Sequence, residues 1–337
     1  MRSVIIWKAY RIEEQGLIDT IELKYSVGAL LYSPALNAKL ADSILQGKFG
    51  DKYSVALCLE DTIAGDMVQT AEAQTAETVR RLYEASQTRD ITLPKFFIRV
   101  REPEQMPRIY EKIKPYAKIL TGFIFPKYSV SNAQAYHEQL LRLNAHASQK
   151  LWMMPIIESS DIVEPLTRNE LLGQIREQVD SMREFVLNVR VGGNDFCNQF
   201  GVRRHYDETI YDILPIAQLL GDILTFFSRD YVVSGPVWEF FASANDEWRR
   251  GLRNELKMDK LNGFIGKTVI HPKQIPIVNE MLKVSCKDYE DACAILNWDS
   301  SGLQVGKSFG GERMNEVRTH YNWARKIVLL SELYGVI

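Results

Sequence analysis

Short apolar runs in this chain end in charged residues, and this repeated arrangement constrains its fold more than any other feature. Apolar runs of this length are typical of buried β-strands. Charges at the carboxyl ends of several parallel strands converge on one rim, where barrel and open α/β enzymes place their chemistry. The runs and their charges are Val55–Leu59 with Glu60 and Asp61, Phe96–Ile98 with Arg99, Met153–Ile157 with Glu158, Val186–Gly193 with Asp195, and Phe264–Ile270, which contains Lys267 and precedes His271.

Eight β-like runs alternate with polar, helix-favouring stretches. Most are continuously apolar, as expected for parallel strands covered on both faces. Eightfold alternation predicts an α/β fold, a (β/α)8 TIM barrel. The predicted strands are Gly28–Tyr32, Ser54–Leu59, Lys95–Val100, Gly122–Pro126, Leu151–Ile157, Val186–Val191, Tyr231–Ser234 and Gly263–Ile270, and the predicted helices include Ala71–Gln87, Ser131–Leu143, Glu208–Phe227 and Glu239–Leu256.

The chain is predicted to divide into a barrel and a C-terminal extension. The barrel domain takes residues 1–276, and its first 27 residues are expected to form a helix or an edge strand. Residues 277–337 predict a mostly helical extension, with helices at Asp288–Leu296 and His320–Tyr334 and a glycine-rich loop at Ser300–Gly311. An extension of this length is expected to contact the barrel or a neighbouring subunit.

Composition excludes several classes of partner. The 337 residues are 46% hydrophobic and 25% charged, with a net charge of −2, which is typical of soluble globular proteins. The chain has no basic stripe of the kind that predicts nucleic-acid binding. It also has no apolar run that approaches the roughly 20 residues that span a bilayer. The four cysteines form no CxxC pair or Cys/His cluster, which favours reduced thiols in a cytoplasmic protein.

Glu158 and Asp195 are the predicted metal ligands. They follow the fifth and sixth predicted strands, which lie side by side in a barrel, so their carboxylates can share one ion. Oxygen ligands without His or Cys suit Mg²⁺, which keeps several waters and takes substrate oxygens as further ligands. The alternative is that each carboxylate only caps the helix that follows it.

Arg99 and the Glu60-Asp61 pair are the predicted catalytic residues of the neighbouring strand ends. An arginine at this rim can hold a carboxylate or stabilise an enolate oxygen, and it can also form a structural ion pair with Glu60 or Asp61. One of the two acids is expected to face the barrel axis, to hold metal-bound water or to orient Arg99. A helix cap is the alternative for Asp61.

Lys127, Gly193 and Asn194 are further candidates for substrate binding. Lys127 ends the fourth predicted strand, and it either forms a Schiff base or orients the carboxylates by its charge. Lys267 carries the same two alternatives. The Gly192-Gly193 pair permits close approach of the backbone to a ligand. His271 is expected to be structural.

These motifs together resemble the citrate lyase β-subunit family within the HpcH/HpaI aldolase superfamily. The resemblance covers about residue 31 to the C-terminus. In chain order the motifs are Leu59-Glu60-Asp61-Thr62, Ile98-Arg99-Val100, Phe125-Pro126-Lys127, Ile156-Ile157-Glu158-Ser159, Gly193-Asn194-Asp195-Phe196, and Gly263-Phe264-Ile265-Gly266-Lys267 followed by Ile270-His271-Pro272-Lys273-Gln274-Ile275.

The resemblance implies an oligomeric TIM barrel that binds Mg²⁺ through Glu158 and Asp195, with Arg99 on a substrate carboxylate or enolate oxygen. It implies retro-Claisen or retro-aldol cleavage of a hydroxy acid or its thioester. The family carries a Met-Ile-Asp segment whose Asp reaches a neighbouring active site; here it reads Met314-Asn315-Glu316, so Glu316 is the expected acid in a trimer or hexamer.

The sequence therefore predicts a Mg²⁺-dependent carbon–carbon lyase or aldolase acting on a small oxo or hydroxy acid or an acyl thioester. Lewis-acid stabilisation of an enolate is the expected source of its rate enhancement. Two alternatives stay open: a thioester hydrolase that uses the same metal site, and a non-catalytic barrel subunit.

Overall fold

The computed structural model describes residues 15–299 and 302–337. Its chain contacts divide into two compact units. The larger unit is Val27–Val278, and the smaller one contains the helix α1, Gln15–Tyr25, together with Asn279–Ile337.

Eight parallel strands form the core of the larger unit. Their spatial order is β7-β6-β5-β4-β3-β2-β1-β8, and a parallel bridge between Gly235, just after β7, and Lys267 in β8 joins the two ends of the sheet. The predicted barrel is thereby confirmed. The strands are β1 Ala29–Pro34, β2 Ser54–Cys58, β3 Lys95–Arg99, β4 Leu120–Phe125, β5 Trp152–Ile157, β6 Val189–Val191, β7 Val233–Ser234 and β8 Lys267–Val269.

Helices connect successive strands, as right-handed parallel crossovers require. The helices of this unit are α2 Leu40–Leu45, α3 Val68–Thr88, α4 Gln105–Ile113, α5 Ala133–Asn144, α6 Arg168–Ser181, α7 Gly193–Phe200, α8 Leu214–Phe227 and α9 Glu247–Asn262, and α10 Ile275–Leu282 follows β8. Within the described residues no helix is long and apolar enough to cross a membrane.

The continuously apolar strands are buried on both faces, which is why their sequences do not alternate. Every residue of β2 and β5 is buried, because side chains of one face fill the barrel and those of the other meet the helices. Each predicted strand overlaps one observed strand, so hydrophobic run length located all eight.

Two predicted helices begin later than expected. In the first, a short 3-10 turn at Ile210–Asp212 precedes α8, whose first turn contains Pro215; proline is favoured there because it lacks the N–H that would go unpaired. In the second, residues 239–246 are not helical. The buried Gln274 amide donates to the carbonyl oxygens of Trp238 and Phe240 at 2.9 and 3.0 Å, so a side chain satisfies this backbone instead of a helix.

The smaller unit is built on helices α11, Cys286–Leu296, and α12, Val317–Tyr334. Between them, β9 Val305–Lys307 and β10 Met314–Glu316 form an antiparallel pair. Strand β9 lies within the predicted glycine-rich loop Ser300–Gly311, and β10 follows that loop. Residues 300 and 301 of that loop lie outside the described residues. The Tyr334 hydroxyl donates to the Tyr25 carbonyl at 2.8 Å and joins α12 to α1. The division of the chain at residue 276 stays a prediction.

Candidate active site

The carboxyl ends of the strands surround one cavity of about 490 Å³. Because parallel strands end at one face of a barrel, residues far apart in sequence meet there. Four charged residues of the predicted site line this cavity at the ends of β2, β3, β5 and β6: Asp61, Arg99, Glu158 and Asp195.

Glu158 and Asp195 form a close carboxylate pair. Glu158 is 5% exposed, and its Oε1 accepts the Lys127 backbone N–H at 2.9 Å. Burial, and then repulsion by Asp195, raises the pKa of Glu158 to about 8. Burial also raises the pKa of Asp195, with Asp61 adding to the effect, while a hydrogen bond with Glu158 opposes it. Two acids are thus held together with too little positive charge to stabilise both ionised forms.

Glycine at position 192 makes room for this pair. A Cβ atom built on Gly192 overlaps the Glu158 side chain, and one built on Gly193 meets Ile210 and Pro236. The sequence predicted that these glycines let the backbone approach a ligand, whereas the close neighbour of Gly192 is the Glu158 carboxylate itself. Gly193 and Asn194 line the cavity, and the buried Asn194 Oδ1 has no hydrogen-bond donor among the described residues.

Arg99 is fixed by the acids that follow β2. Its Nη2 lies 2.8 Å from Glu60 Oε2 and 3.2 Å from Asp61 Oδ2. Its Nε donates to Cys58 Sγ at 3.3 Å, and its guanidinium lies over the Tyr32 ring, 5.1 Å from the centroid. The ion pair that the sequence raised as an alternative therefore coexists with a guanidinium that lines the cavity.

Glu60 and Asp61 have different environments. Glu60 is buried, and Asp61 is half exposed and lines the cavity. Burial raises the pKa of Glu60, despite Arg99. Burial acts in the same direction on Asp61, but the Glu60 hydrogen bond, Arg99 and Lys127 outweigh it and lower its pKa. Paired acids whose pKa values are pushed apart are typical of groups that handle protons.

Lys127 reaches the acids of β2 and does not line the cavity. Its Nζ lies 2.8 Å from Glu60 Oε1 and 3.1 Å from Asp61 Oδ1, and the Glu60 hydrogen bond is the main reason why its pKa is raised. Its backbone φ is +48°, a left-handed conformation that costs energy for a residue with a side chain. This conformation presents the Lys127 N–H to Glu158.

Lys267 and His271 lie outside this arrangement. The Lys267 ammonium is fully buried against Glu255 and Asp259 of α9, at 2.9 and 2.7 Å. The His271 ring accepts the Lys273 N–H at 3.2 Å and stacks on Phe241. Glu316 ends β10 in the smaller unit, and its predicted role in a neighbouring site stays a prediction.

The donor set of the cavity fits a hard divalent cation. Two adjacent carboxylates of raised pKa would both be stabilised as anions by an ion between them. Within the described ranges no cluster of three or more His, Cys, Asp or Glu side chains is arranged to hold a metal. Two protein carboxylates suit Mg²⁺, which fills its remaining positions with water and substrate oxygens.

Sequence reasoning missed several residues that line the cavity, among them Tyr32, Arg190 and Thr268. Arg190 carried a signal that could have revealed it. It is the one charged residue within the predicted strand Val186–Val191, and it lies two positions before Gly192. Because side chains alternate along a strand, Arg190 shares the inward face with the residue that contacts Glu158.

The sequence matches the family model described as C–C bond lyase of the TIM-barrel fold over residues 21–336. The chain belongs to this family. The match confirms the predicted carbon–carbon bond lyase branch with a TIM-barrel fold. No curated protein matches the sequence.

Solved structures share the fold at low sequence identity. The CitE protein of Mycobacterium tuberculosis, in complex with magnesium, acetoacetate and coenzyme A, superposes with a TM-score of 0.60 at 18% identity, covering 92% of this chain and 99% of that one. Its complex with magnesium and pyruvate gives 0.54 at 16%, covering 91% and 99%. RipC from Yersinia pestis gives 0.51 at 14%, covering 77% and 95%.

Proposed function

We propose that this C–C bond lyase is Mg²⁺-dependent and cleaves or forms a hydroxy acid, or its thioester, through an enolate. The observation that carries the proposal is the adjacent pair of carboxylates, buried Glu158 and partly exposed Asp195, beside Arg99 in one cavity. The magnesium in the CitE complexes is consistent with this proposal.

Glu158 and Asp195 would hold the ion. When bound, Mg²⁺ polarises a substrate carbonyl and stabilises negative charge on its oxygen, an effect worth several kcal/mol. The Lys127 N–H, held by the left-handed backbone, fixes the Glu158 carboxylate in place. Gly193 and Asn194 would contact the substrate, since the buried Asn194 Oδ1 can accept a hydrogen bond from it.

Arg99 would bind the oxygen on which charge develops. Its guanidinium is held by Glu60, Asp61 and Cys58 before any substrate arrives. Donors that need no rearrangement stabilise a developing anion most effectively. Arg101 supports this geometry by donating to the Glu60 carbonyl at 3.2 Å, which ties down the segment after β2.

Asp61 would accept the proton that cleavage releases. In the retro-aldol direction the substrate hydroxyl loses its proton to Asp61, the adjacent C–C bond breaks, and its electron pair moves into the enolate. A proton then returns to the enolate carbon. The lowered pKa of Asp61 keeps it ionised near neutral pH, and Glu316 of a neighbouring subunit would be a second proton carrier. The paired, protonated Lys127 is suited to orienting these acids rather than to forming a Schiff base.

The proposed assembly is a homo-oligomer, a trimer or a hexamer, in the cytoplasm. In such an assembly the extension that carries Glu316 would contact the next subunit. Truncation before Val305 would then abolish activity and leave the barrel folded. A fully active monomer at assay concentration contradicts the shared site.

The test combines metal binding with product analysis. Mg²⁺ binding is measured by calorimetry for the native protein, Glu158→Gln and Asp195→Asn, with Glu184→Gln on the exposed surface as the matched control. A panel of hydroxy acids and acyl thioesters is then followed by NMR for carbon–carbon cleavage. Native-like Mg²⁺ binding by both cavity variants contradicts the proposal. Release of free acid from a thioester with an intact carbon skeleton would instead identify a hydrolase.

A further inference from the structure

Arg190 lies inside the barrel and lines the wall of the cavity. It belongs to β6 and is 1% exposed. Its Nη2 donates to Thr268 Oγ1 of β8 at 2.6 Å, and the Tyr32 side chain of β1 is its other polar contact. Its guanidinium thus extends from one side of the barrel to strands on another.

Most of the hydrogen-bonding capacity of Arg190 is unused. The Nε and Nη1 atoms have no hydrogen-bond acceptor in the described part of the chain. Together these two atoms carry three N–H bonds. No carboxylate among the described residues forms an ion pair with Arg190 at the distances seen for Arg99.

A buried charge without a partner is costly, so its presence calls for a compensating group. Burial lowers the pKa of Arg190, but a guanidinium stays protonated in proteins. Structural arginines elsewhere in this barrel are neutralised: the equally buried Arg204 lies 3.1 Å from a Glu255 carboxylate oxygen. An anion that entered the cavity would satisfy the free N–H bonds of Arg190.

The two cavity arginines offer different sites. Arg99 is already paired with Glu60 and Asp61 and lies over Tyr32. Arg190 contacts Tyr32 and has no acidic partner in the part of the chain that the structure describes. The reacting end of a substrate would bind beside Arg99 and Glu158. Arg190 would then be available to bind an acidic group elsewhere on the same substrate molecule.

We propose that Arg190 binds a second acidic group of the substrate, so that the enzyme acts on small hydroxy acids that carry two anionic groups. This inference rests on the proposed function and names its substrate class. The second group is a carboxylate or a phosphoryl-type group, since a buried guanidinium binds either. Arg190 is then a specificity-determining residue that discriminates against monoacids.

The probes are lactate and malate, which differ only in the carboxylate that malate carries on C3. The third probe, 2-hydroxy-3-phosphonopropanoate, has a phosphonate at the same position. Binding to the full-length protein is measured by calorimetry, with Mg²⁺ and again with EDTA. We expect malate or the phosphonate to bind at least tenfold more tightly than lactate, and the tighter of the two identifies the source of the acidic group.

Arg190→Gln should remove this preference and leave lactate binding within about twofold of the native value. Arg190→Lys should retain part of it, because the charge remains while the planar donor set is lost. Arg203→Gln is the matched control, since Arg203 also lines the cavity but its side chain is 74% exposed. This variant should keep the native preference for diacids over lactate. Thermal unfolding of each variant checks folding, and if Arg190→Gln does not fold, the Lys variant decides.

Equal binding of lactate and the two diacids by the native protein would overturn the inference. So would the absence of detectable diacid binding at 20 mM, or a full preference in a folded Arg190→Gln or Arg190→Lys variant. Failure of the proposed function would give a different result. The protein would still prefer diacids in an Arg190-dependent way, but Glu158 would not bind Mg²⁺ and no carbon–carbon bond would be cleaved. Intact metal binding and cleavage without diacid preference would remove the Arg190 inference alone.

Discussion

Two buried charge clusters of the barrel unit lie on opposite sides of the strand wall. Outside the wall, Lys267 and Arg204 meet Glu255 and Asp259, two cations with two anions. The outer pairs are further satisfied by hydrogen bonds: Asp259 accepts the Tyr211 hydroxyl at 2.6 Å, and Glu255 accepts the Ile210 N–H at 2.8 Å.

The cavity cluster is not balanced in this way. Four carboxylates, those of Glu60, Asp61, Glu158 and Asp195, face two paired cations, Arg99 and Lys127. Arg190, which lines the same cavity, has no acidic partner among the described residues. The comparison shows that burial of charge by itself does not mark a functional site. Incomplete neutralisation distinguishes the candidate site, because those groups gain the most from a ligand.

The largest expected effect is on stability, at the balanced cluster. Lys267→Met leaves Glu255 and Asp259 buried without their ammonium partner and should lower the free energy of unfolding by about 3–5 kcal/mol. Urea unfolding followed by circular dichroism measures it. Lys287→Met, at an exposed ion pair with Glu312, is the control and should cost less than about 1 kcal/mol. A loss below 1 kcal/mol for Lys267→Met would contradict a structural role.

The second effect is on activity, at the cavity cluster. Arg99→Lys keeps the charge but loses the planar fork, so kcat on an identified substrate should fall by about 10²–10³. The free energy of unfolding should change much less than for Lys267→Met. Steady-state kinetics and urea unfolding of the same preparations separate the two quantities. Near-native turnover by Arg99→Lys would show that the guanidinium does not bind the reacting oxygen.

The third prediction reverses the sign of the stability effect. Glu158→Gln removes repulsion with Asp195, so in EDTA the variant should be as stable as the native protein or more stable by about 1–2 kcal/mol. Added Mg²⁺ should raise the melting temperature of the native protein only. Scanning calorimetry with and without Mg²⁺ measures both. Strong destabilisation of Glu158→Gln in EDTA would place Glu158 with the balanced, structural charges.

The smallest expected effect tests a buried titratable group that has no counter-charge among the described residues. His137 is 4% exposed, hydrogen bonds to the Tyr128 hydroxyl at 2.7 Å, and burial lowers its pKa to about 4. Between pH 6.5 and 4 the unfolded chain takes up a proton that the folded one does not, so stability falls as the pH falls.

His137→Gln should therefore reduce the loss of stability between pH 7 and pH 5 by roughly 1 kcal/mol. Urea unfolding at both pH values measures this difference, and His146→Gln, at an exposed position, is the control. An unchanged pH dependence would show that His137 is protonated in the folded protein as well.

Local patterns in the sequence were sufficient to predict the strands and the charged residues that meet at the candidate site. Apolar runs located all eight strands, and the charges that follow them identified Asp61, Arg99, Glu158 and Asp195 at one cavity. The length of an apolar run locates a strand here because both faces of a barrel strand are buried. The same reasoning could not place Lys267, whose run looks the same as the others but whose side chain faces α9.

The sequence by itself determined the barrel, the order of its strands and the family to which the chain belongs, because these depend on periodicity and on motifs that are local in the chain. Only the tertiary structure decided which charges are satisfied. Glu60 pairs with both Arg99 and Lys127, and Gly192 leaves space for the Glu158 side chain. Within the described ranges, Arg190 donates to Thr268 and contacts no carboxylate. The physical reason is that neutralisation of a buried charge depends on distances between strands that are remote in sequence, and these distances exist only once the barrel has closed.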